Sequence, residues 1–163
     1  MHYTDILLIL IGIILAYTYC YFIFPDNITI LQCSLDEFDF PYLYRRQPLV
    51  IEDYIANVSN IMQLWFSSNI VQNVILQPKQ LWNLNFHKYL YVYAQQDTEV
   101  LLYGPGKKVE NDTPDNSEPV LAIQLKKAQS LIVPYRWYYN IDSDNVQLYG
   151  IHDYITYCVD MCI

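Results

Sequence analysis

Residues 6–24 form a run of 19 with no charged side chain and no proline, and this run limits the chain more than any other feature. As a helix rising about 1.5 Å per residue it reaches roughly 28 Å, the thickness of a bilayer's hydrocarbon core. Twelve of its residues are Ile, Leu or Phe. At about −0.3 to −0.6 kcal/mol each they outweigh the small insertion costs of a glycine, a threonine and tyrosines. Tyr17, Tyr19 and Tyr21 gather toward one end, as in an interfacial aromatic belt, and Pro25-Asp26 follows. The leading residues Met-His-Tyr-Thr-Asp contain no Lys or Arg, and no A-x-A pattern follows, so the run reads as a retained anchor rather than a cleaved signal. A core helix would carry a polar stripe, and this run has none. Ile6, Leu10, Ile14 and Phe24 are taken as anchor positions, with residues 1–25 as the membrane segment.

The remaining 140 or so residues are enough for one compact domain. A formal net charge of −8 argues against a nucleic-acid partner, which calls for a basic face. Four glycines exclude collagen-like and glycine-rich phosphate-loop designs. The nearest basic pair after the run is Arg45-Arg46, which favours a cytoplasmic-side domain. The triplets at Asn27, Asn57 and Asn111 are glycosylation acceptors that would suit a lumenal one. Cys20 falls within the run; Cys33, Cys158 and Cys162 remain, without a C-x-x-C, and suggest neither a zinc site nor a disulfide framework.

Residues 26–43, with Asp36-Glu37-Phe38-Asp39, read as a stalk, and residues 44–163 as the domain. Pro48-Leu49-Val50-Ile51 reads as a short strand. Glu52-Asp53 opens a predicted helix whose apolar stripe is Ile55, Val58, Ile61, Met62, Trp65 and Phe66. From there the period falls to two. Strands are predicted at 71–77, 88–94, 98–103, 120–125, 130–133, 137–141, 145–149 and 151–159, with the longest loop at 104–119. Eight short strands imply a sandwich or barrel.

Three segments together resemble the JmjC-like branch of the cupin superfamily. Arg45-Arg46-Gln47-Pro48-Leu49-Val50-Ile51 looks like the family's "R/K-x-P-V-V-I" start. Residues 81–105 are similar to the stretch that carries its first metal ligands, and residues 128–141, with Pro134 and Trp137, look like its "G-D-x-L-x-I-P-x-x-W-x-H-x-V" strand pair. The resemblance implies a mainly β fold: a double-stranded β-helix, cupin- or jelly-roll-like, with one leading helix and the N-terminal transmembrane helix before it. Active members hold Fe(II) through an H-x-D/E pair and a distant His. No H-x-D/E occurs here; Trp82 and Leu84 stand near the first ligand positions, and Tyr139 or Asn140 at the distal one. These degenerate metal-site positions imply no iron, no other cofactor and no catalytic residue.

Other chemistries lack a signature. No serine lies in a G-x-S-x-G elbow, and His152 with Cys158 reads as a surface histidine near a buried cysteine. Glu52-Asp53, Asp97/Glu99 and Asp142/Asp144 read as capping or turn carboxylates, and Lys107-Lys108 and Lys126-Lys127 as surface charge. The chain has seventeen tyrosines, six of them in its C-terminal third, and Tyr135, Arg136, Tyr138, Tyr154 and Tyr157 are the candidate interface. The expected protein is non-catalytic, with a lipid bilayer and other structural proteins as partners. Ile, Tyr and Asn richness resembles that of a large DNA virus protein, which implies a link between internal membrane and capsid, the domain on the capsid-facing side. The alternatives are a membrane-bound Fe(II)/2-oxoglutarate oxygenase with an atypical site, and a lumenal or surface module for a glycan or receptor.

Overall fold

The computed structural model describes residues 3–20, 22–76, 81–105, 109–110, 113–114 and 119–160. In chain order the elements are α1 (Tyr3–Cys20), β1 (Leu31–Cys33), α2 (Pro41–Tyr44), β2 (Leu49–Ile51), α3 (Val58–Trp65), β3 (Ile70–Asn73), β4 (Asn83–Leu84), β5 (Tyr89–Ala94), β6 (Thr98–Tyr103), β7 (Val109–Glu110), β8 (Thr113–Pro114), β9 (Leu121–Leu125), β10 (Ser130–Pro134), β11 (Tyr138–Ile141), β12 (Val146–His152) and α4 (Tyr154–Asp160). A single 3-10 turn at Ser143–Asn145 leads into β12.

The fold is mainly β, built on two sheets. One has six strands in the order β1-β2-β10-β5-β12-β3, the other four in the order β4-β11-β6-β9; β7 and β8 make a separate hairpin. All pairs are antiparallel except β1 with β2. From β3 onward the chain passes back and forth between the two sheets, apart from the β6–β9 pair. Strand alternation sorts the side chains. Leu90, Val92, Leu131, Val133, Val146 and Leu148 of the larger sheet meet Val100, Leu102, Ile123, Trp137 and Tyr139 of the smaller in one core. Leu49, Ile51, Tyr91, Ile132 and Ile151 point to the opposite face, where Val58, Ile61, Met62 and Phe66 cover them. β10 is therefore buried on both faces, which explains its unbroken apolar run.

The two ends of this stack differ. At one end lie Tyr89, Pro134, Tyr103, Tyr138 and His152, where β10 turns into β11 and β12 finishes. At the other lie Ala94, Thr98, Leu125, Ser130 and Val146. The first end is where α1 arrives, and we call it proximal. α1 has no residue buried against the domain, and is long and apolar enough to cross a membrane.

Several expectations are corrected. α1 ends at Cys20, so Phe24 is not on the helix; it sits half-buried beside the domain. The segment read as a stalk is built into the fold: β1 joins the larger sheet, Cys33 is buried, and Ile28 and Ile30 pack on the core. The helix expected from Glu52 is α3, which starts at Val58, because Asn57 caps it by accepting from the Asn60 N–H (3.3 Å). Residues 145–149 and 151 onward make one strand that stops at His152. The Asp153 carboxylate then accepts from the Ile155 and Thr156 N–H groups (3.1 and 2.9 Å), so the apolar run continues as α4 and not as strand. Much of the loop at 104–119, with Lys107, Lys108 and Asn111, lies outside the described residues, as does Cys162.

Candidate functional site

The proximal end is assembled from three turns. α2 places Leu43 and Tyr44 there, is capped by Arg45 and is followed by Arg46, whose φ of 54° is left-handed. The tight β10–β11 turn places Tyr135 and Arg136 there, Arg136 also left-handed at 63°. The start of α4 adds Asp153. Left-handed backbone costs a non-glycine residue about 1 kcal/mol, and two arginines accept it at this end.

The end of α1 is fastened to these turns. The Tyr17 hydroxyl donates to Asp153 Oδ2 (2.7 Å), and Arg46 Nη1 donates to the Ile23 carbonyl (2.6 Å). The Phe22 ring meets Tyr135 edge-on at 6.5 Å, and the Arg136 guanidinium lies over Phe22 at 5.6 Å. Lys88 Nζ pairs with Asp153 Oδ2 at 3.1 Å. A cavity of about 220 Å³ remains between helix end and domain, with Tyr17, Phe24, Arg46, Lys88, Tyr89 and Tyr135 on its walls. A second, of about 500 Å³, shares Leu43, Tyr44, Lys88 and Tyr89 with it. Burial pushes the Tyr89 hydroxyl well above the usual tyrosine range; Tyr44 adds to the rise and Arg46 opposes it.

Inside the same end sits a polar cluster that the sequence did not reveal. His87 Nδ1 and His152 Nε2 are 2.7 Å apart, and Gln72 Nε2 is 2.9 Å from the same His152 nitrogen. The Gln72 amide and the His87 ring thus converge on one nitrogen of His152. His152 is fully buried, with the Tyr157 ring at 5.7 Å. Its predicted surface position is thus corrected, as is the buried position of Cys158, which is exposed on α4. The signal was parity: His152 shares the inward face of β12 with Val146 and Leu148.

The residues of the degenerate metal site do not converge. Tyr139 points into the core, and its cross-strand partner, hence its neighbour on that face, is Asn83. Leu84 pairs with Tyr138 and Asn140 with Leu101, which puts both on the outer face of the smaller sheet. Trp82 packs edge-on against Tyr103 at 6.4 Å. Burial raises the Tyr139 hydroxyl to about 12. A neutral phenol among aliphatic side chains, an indole and a leucine do not fit an iron centre. Among the described residues, no group of three or more His, Cys, Asp or Glu is placed to hold a metal ion.

The candidate interface residues do gather. Tyr135, Arg136, Tyr154 and Tyr157 all lie at the proximal end, with Tyr138 next to Tyr103 just inside it. Tyr135 and Arg136 are already occupied by Phe22, whereas Tyr154 is 77% exposed.

No protein-family model matches this chain, and no curated protein does. Among solved structures it shows a likeness to RmlC from Streptococcus suis, determined in complex with dTDP-D-xylose. That likeness has a TM-score of 0.34 and 14% identity over 66% of this chain, which spans 62% of the RmlC chain.

Proposed function

We propose that this chain is a single-pass membrane protein that holds a non-catalytic, cupin-like domain against a bilayer and offers it to other structural proteins. The observation that carries the reading is the fastening of the chain where α1 ends: Tyr17 on the helix and the Ile23 carbonyl just past it hydrogen-bond to the β domain, and the Phe22 ring packs on Tyr135. A stalk would let a domain swing; these contacts support a reading in which the proximal end faces the membrane. An apolar helix with no buried face needs lipid around it. The double-stranded β-helix reading draws support from strand order. The eight strands β3, β4, β5, β6, β9, β10, β11 and β12 make two four-stranded blocks, β3-β12-β5-β10 and β4-β11-β6-β9. Within the reading the domain faces the cytoplasmic, capsid-facing side of an internal viral membrane, and Tyr138, half-buried on the outer face of the smaller sheet, is the aromatic left for a partner.

Full-length protein should resist alkaline carbonate extraction, yield to detergent, and travel with virions in a salt-resistant form; absence from particles would remove the virion role. Stoichiometric iron in the purified chain, or turnover of 2-oxoglutarate, would reverse the non-catalytic reading. A glycosidase-sensitive mobility shift would place the domain in the lumen.

A further inference from the structure

Among the described residues, charge is unevenly distributed between the two ends of the domain. Arg45, Arg46, Lys88 and Arg136, four of its nine basic residues, come together at the proximal end although they are spread over more than ninety positions. Among the described side chains, the carboxylates at or near that end are Asp26, Asp39 and Asp153, the last paired with Lys88. The distal end holds Glu52, Asp53, Asp97, Asp142 and Asp144, facing Lys126 and Lys127. An acidic protein has thus turned its arginines toward the end where its apolar helix leaves. Two of them stand over aromatic rings: Arg45 over Tyr42 at 5.4 Å, Arg136 over Phe22 and Tyr135 at 5.6 and 6.0 Å. Around them Phe40, Tyr44 and Tyr154 are exposed at 44%, 73% and 77%. A guanidinium binds phosphate oxygens through a planar fork of donors, and amphipathic rings settle at headgroup depth.

We infer that the proximal end is a seat for anionic phospholipid headgroups, with Arg45 and Arg136 as outer phosphate contacts and the cavity between Phe24, Arg46 and Lys88 at headgroup level. This rests on the membrane reading of α1 and adds to it a preference for one leaflet. Basic groups within a Debye length of a negatively charged surface are drawn to it, whereas the distal carboxylates are repelled. The seat thus orients the domain, distal end outward.

Two tyrosines make an internal control. Tyr44, at the proximal end, and Tyr54 are both 73% exposed. Tyr54 precedes Ile55, which is bonded to Ala128 and through it to Ala94 at the distal end. The six residues of β5 separate the two ends by about 17 Å. The full chain is reconstituted in nanodiscs of phosphatidylcholine, with or without phosphatidylglycerol, after a carbonate wash of proteoliposomes has tested insertion. Hydroxyl-radical oxidation of each tyrosine is then read by mass spectrometry. Tyr44 oxidation should fall about fivefold relative to Tyr54 when phosphatidylglycerol is present, and high salt should restore it. Arg45→Gln with Arg136→Gln should abolish the difference; Arg45→Gln with Arg136→Gly, which relieves the left-handed backbone, should do the same with the fold intact. Loss of protein in the carbonate wash would sink the membrane reading. Retention with equal Tyr44 protection in both lipids, or protection produced by inorganic phosphate in neutral discs, would sink the lipid seat alone.

Discussion

Gly150 offers a sharp test of the buried histidine pair. A Cβ built there would stand 2.8 Å from three atoms of the His87 ring, so it would meet the ring's face rather than a movable tip. The ring would have to retreat by roughly half an ångström in an interior packed to crystal density. Ring and backbone are both held. His87 Nδ1 is 2.7 Å from His152, and the His87 backbone N–H donates to Asn85 Oδ1 at 2.9 Å. Asn85 in turn is buried and donates to the Val133 and Pro134 carbonyls at 3.0 and 2.8 Å. Overpacking of this kind costs about 1–3 kcal/mol, and straining a buried hydrogen bond adds about 1–3. The two overlap, and replacing glycine returns about 0.4–1 kcal/mol through the unfolded chain. Gly150→Ala should therefore destabilise by roughly 2–3 kcal/mol, a fall in melting temperature on the order of 5–10 °C for a domain of this size. The assay is thermal unfolding of the full chain in mild detergent, followed by near-ultraviolet circular dichroism. A double-mutant cycle isolates the cause. In a His87→Ala background the added methyl has space, so its cost should drop to near zero, a coupling of about 2 kcal/mol. A neutral Gly150→Ala, or the same cost in both backgrounds, would refute the packing described for this end.

Three further outcomes are expected. Asp153→Ala loses the cap of α4, the Lys88 pair and the Tyr17 bond, and should cost about 1–2 kcal/mol by chemical denaturation; Asp153→Asn keeps a capping oxygen and should recover about half of that. Cys33 is buried, its thiol pushed up first by burial and then by Glu37, Asp53 and Glu52. Native alkylation read by peptide mass spectrometry should label Cys158 and spare Cys33 until denaturant is added. Burial raises the hydroxyls of Tyr89, Tyr91 and Tyr139, the last to about 12, from the ordinary 10. A folded value above the unfolded one gives stability that is full below pH 10 and is lost as pH climbs toward 12 and beyond. Titration at 295 nm should accordingly show these tyrosines ionising together with an alkaline unfolding transition, and separate ionisation at pH 10 in the folded protein would contradict it.

Where local pattern and tertiary demand coincide, the sequence was readable. The strand at 98–103 occurs with those bounds because Val100 and Leu102 alternate inward under the β6–β9 pairing. The failures have separate physical causes. Leu31-Gln32-Cys33 is a strand only because β2 supplies a parallel partner eighteen residues away, and three residues carry no period of their own. The run after His152 has apolar residues that suit either period; one carboxylate, Asp153, decides for helix by satisfying two free N–H groups. Phe24 belongs to the apolar run by composition. It leaves the helix because its neighbours Phe22 and Ile23 have better partners in Tyr135 and Arg46.

Reading the site turned on facing, and facing is fixed by register. The resemblance set Trp82 and Leu84 beside Tyr139, yet pairing puts Asn83 opposite Tyr139, so a one-residue step moves the proposed pair to the other face. The same rule explains why the histidines escaped notice. His87 follows β4 and His152 ends β12, sixty-five residues apart, and neither sits in a ligand spacing. Parity along β12 sends His152 inward after Val146 and Leu148, and glycine at 150 leaves space that the His87 ring fills. A small side chain in an otherwise apolar inward row is thus the local mark of a polar group arriving from elsewhere. At this end of the domain it makes Gly150 the complement of His87 rather than a flexible link.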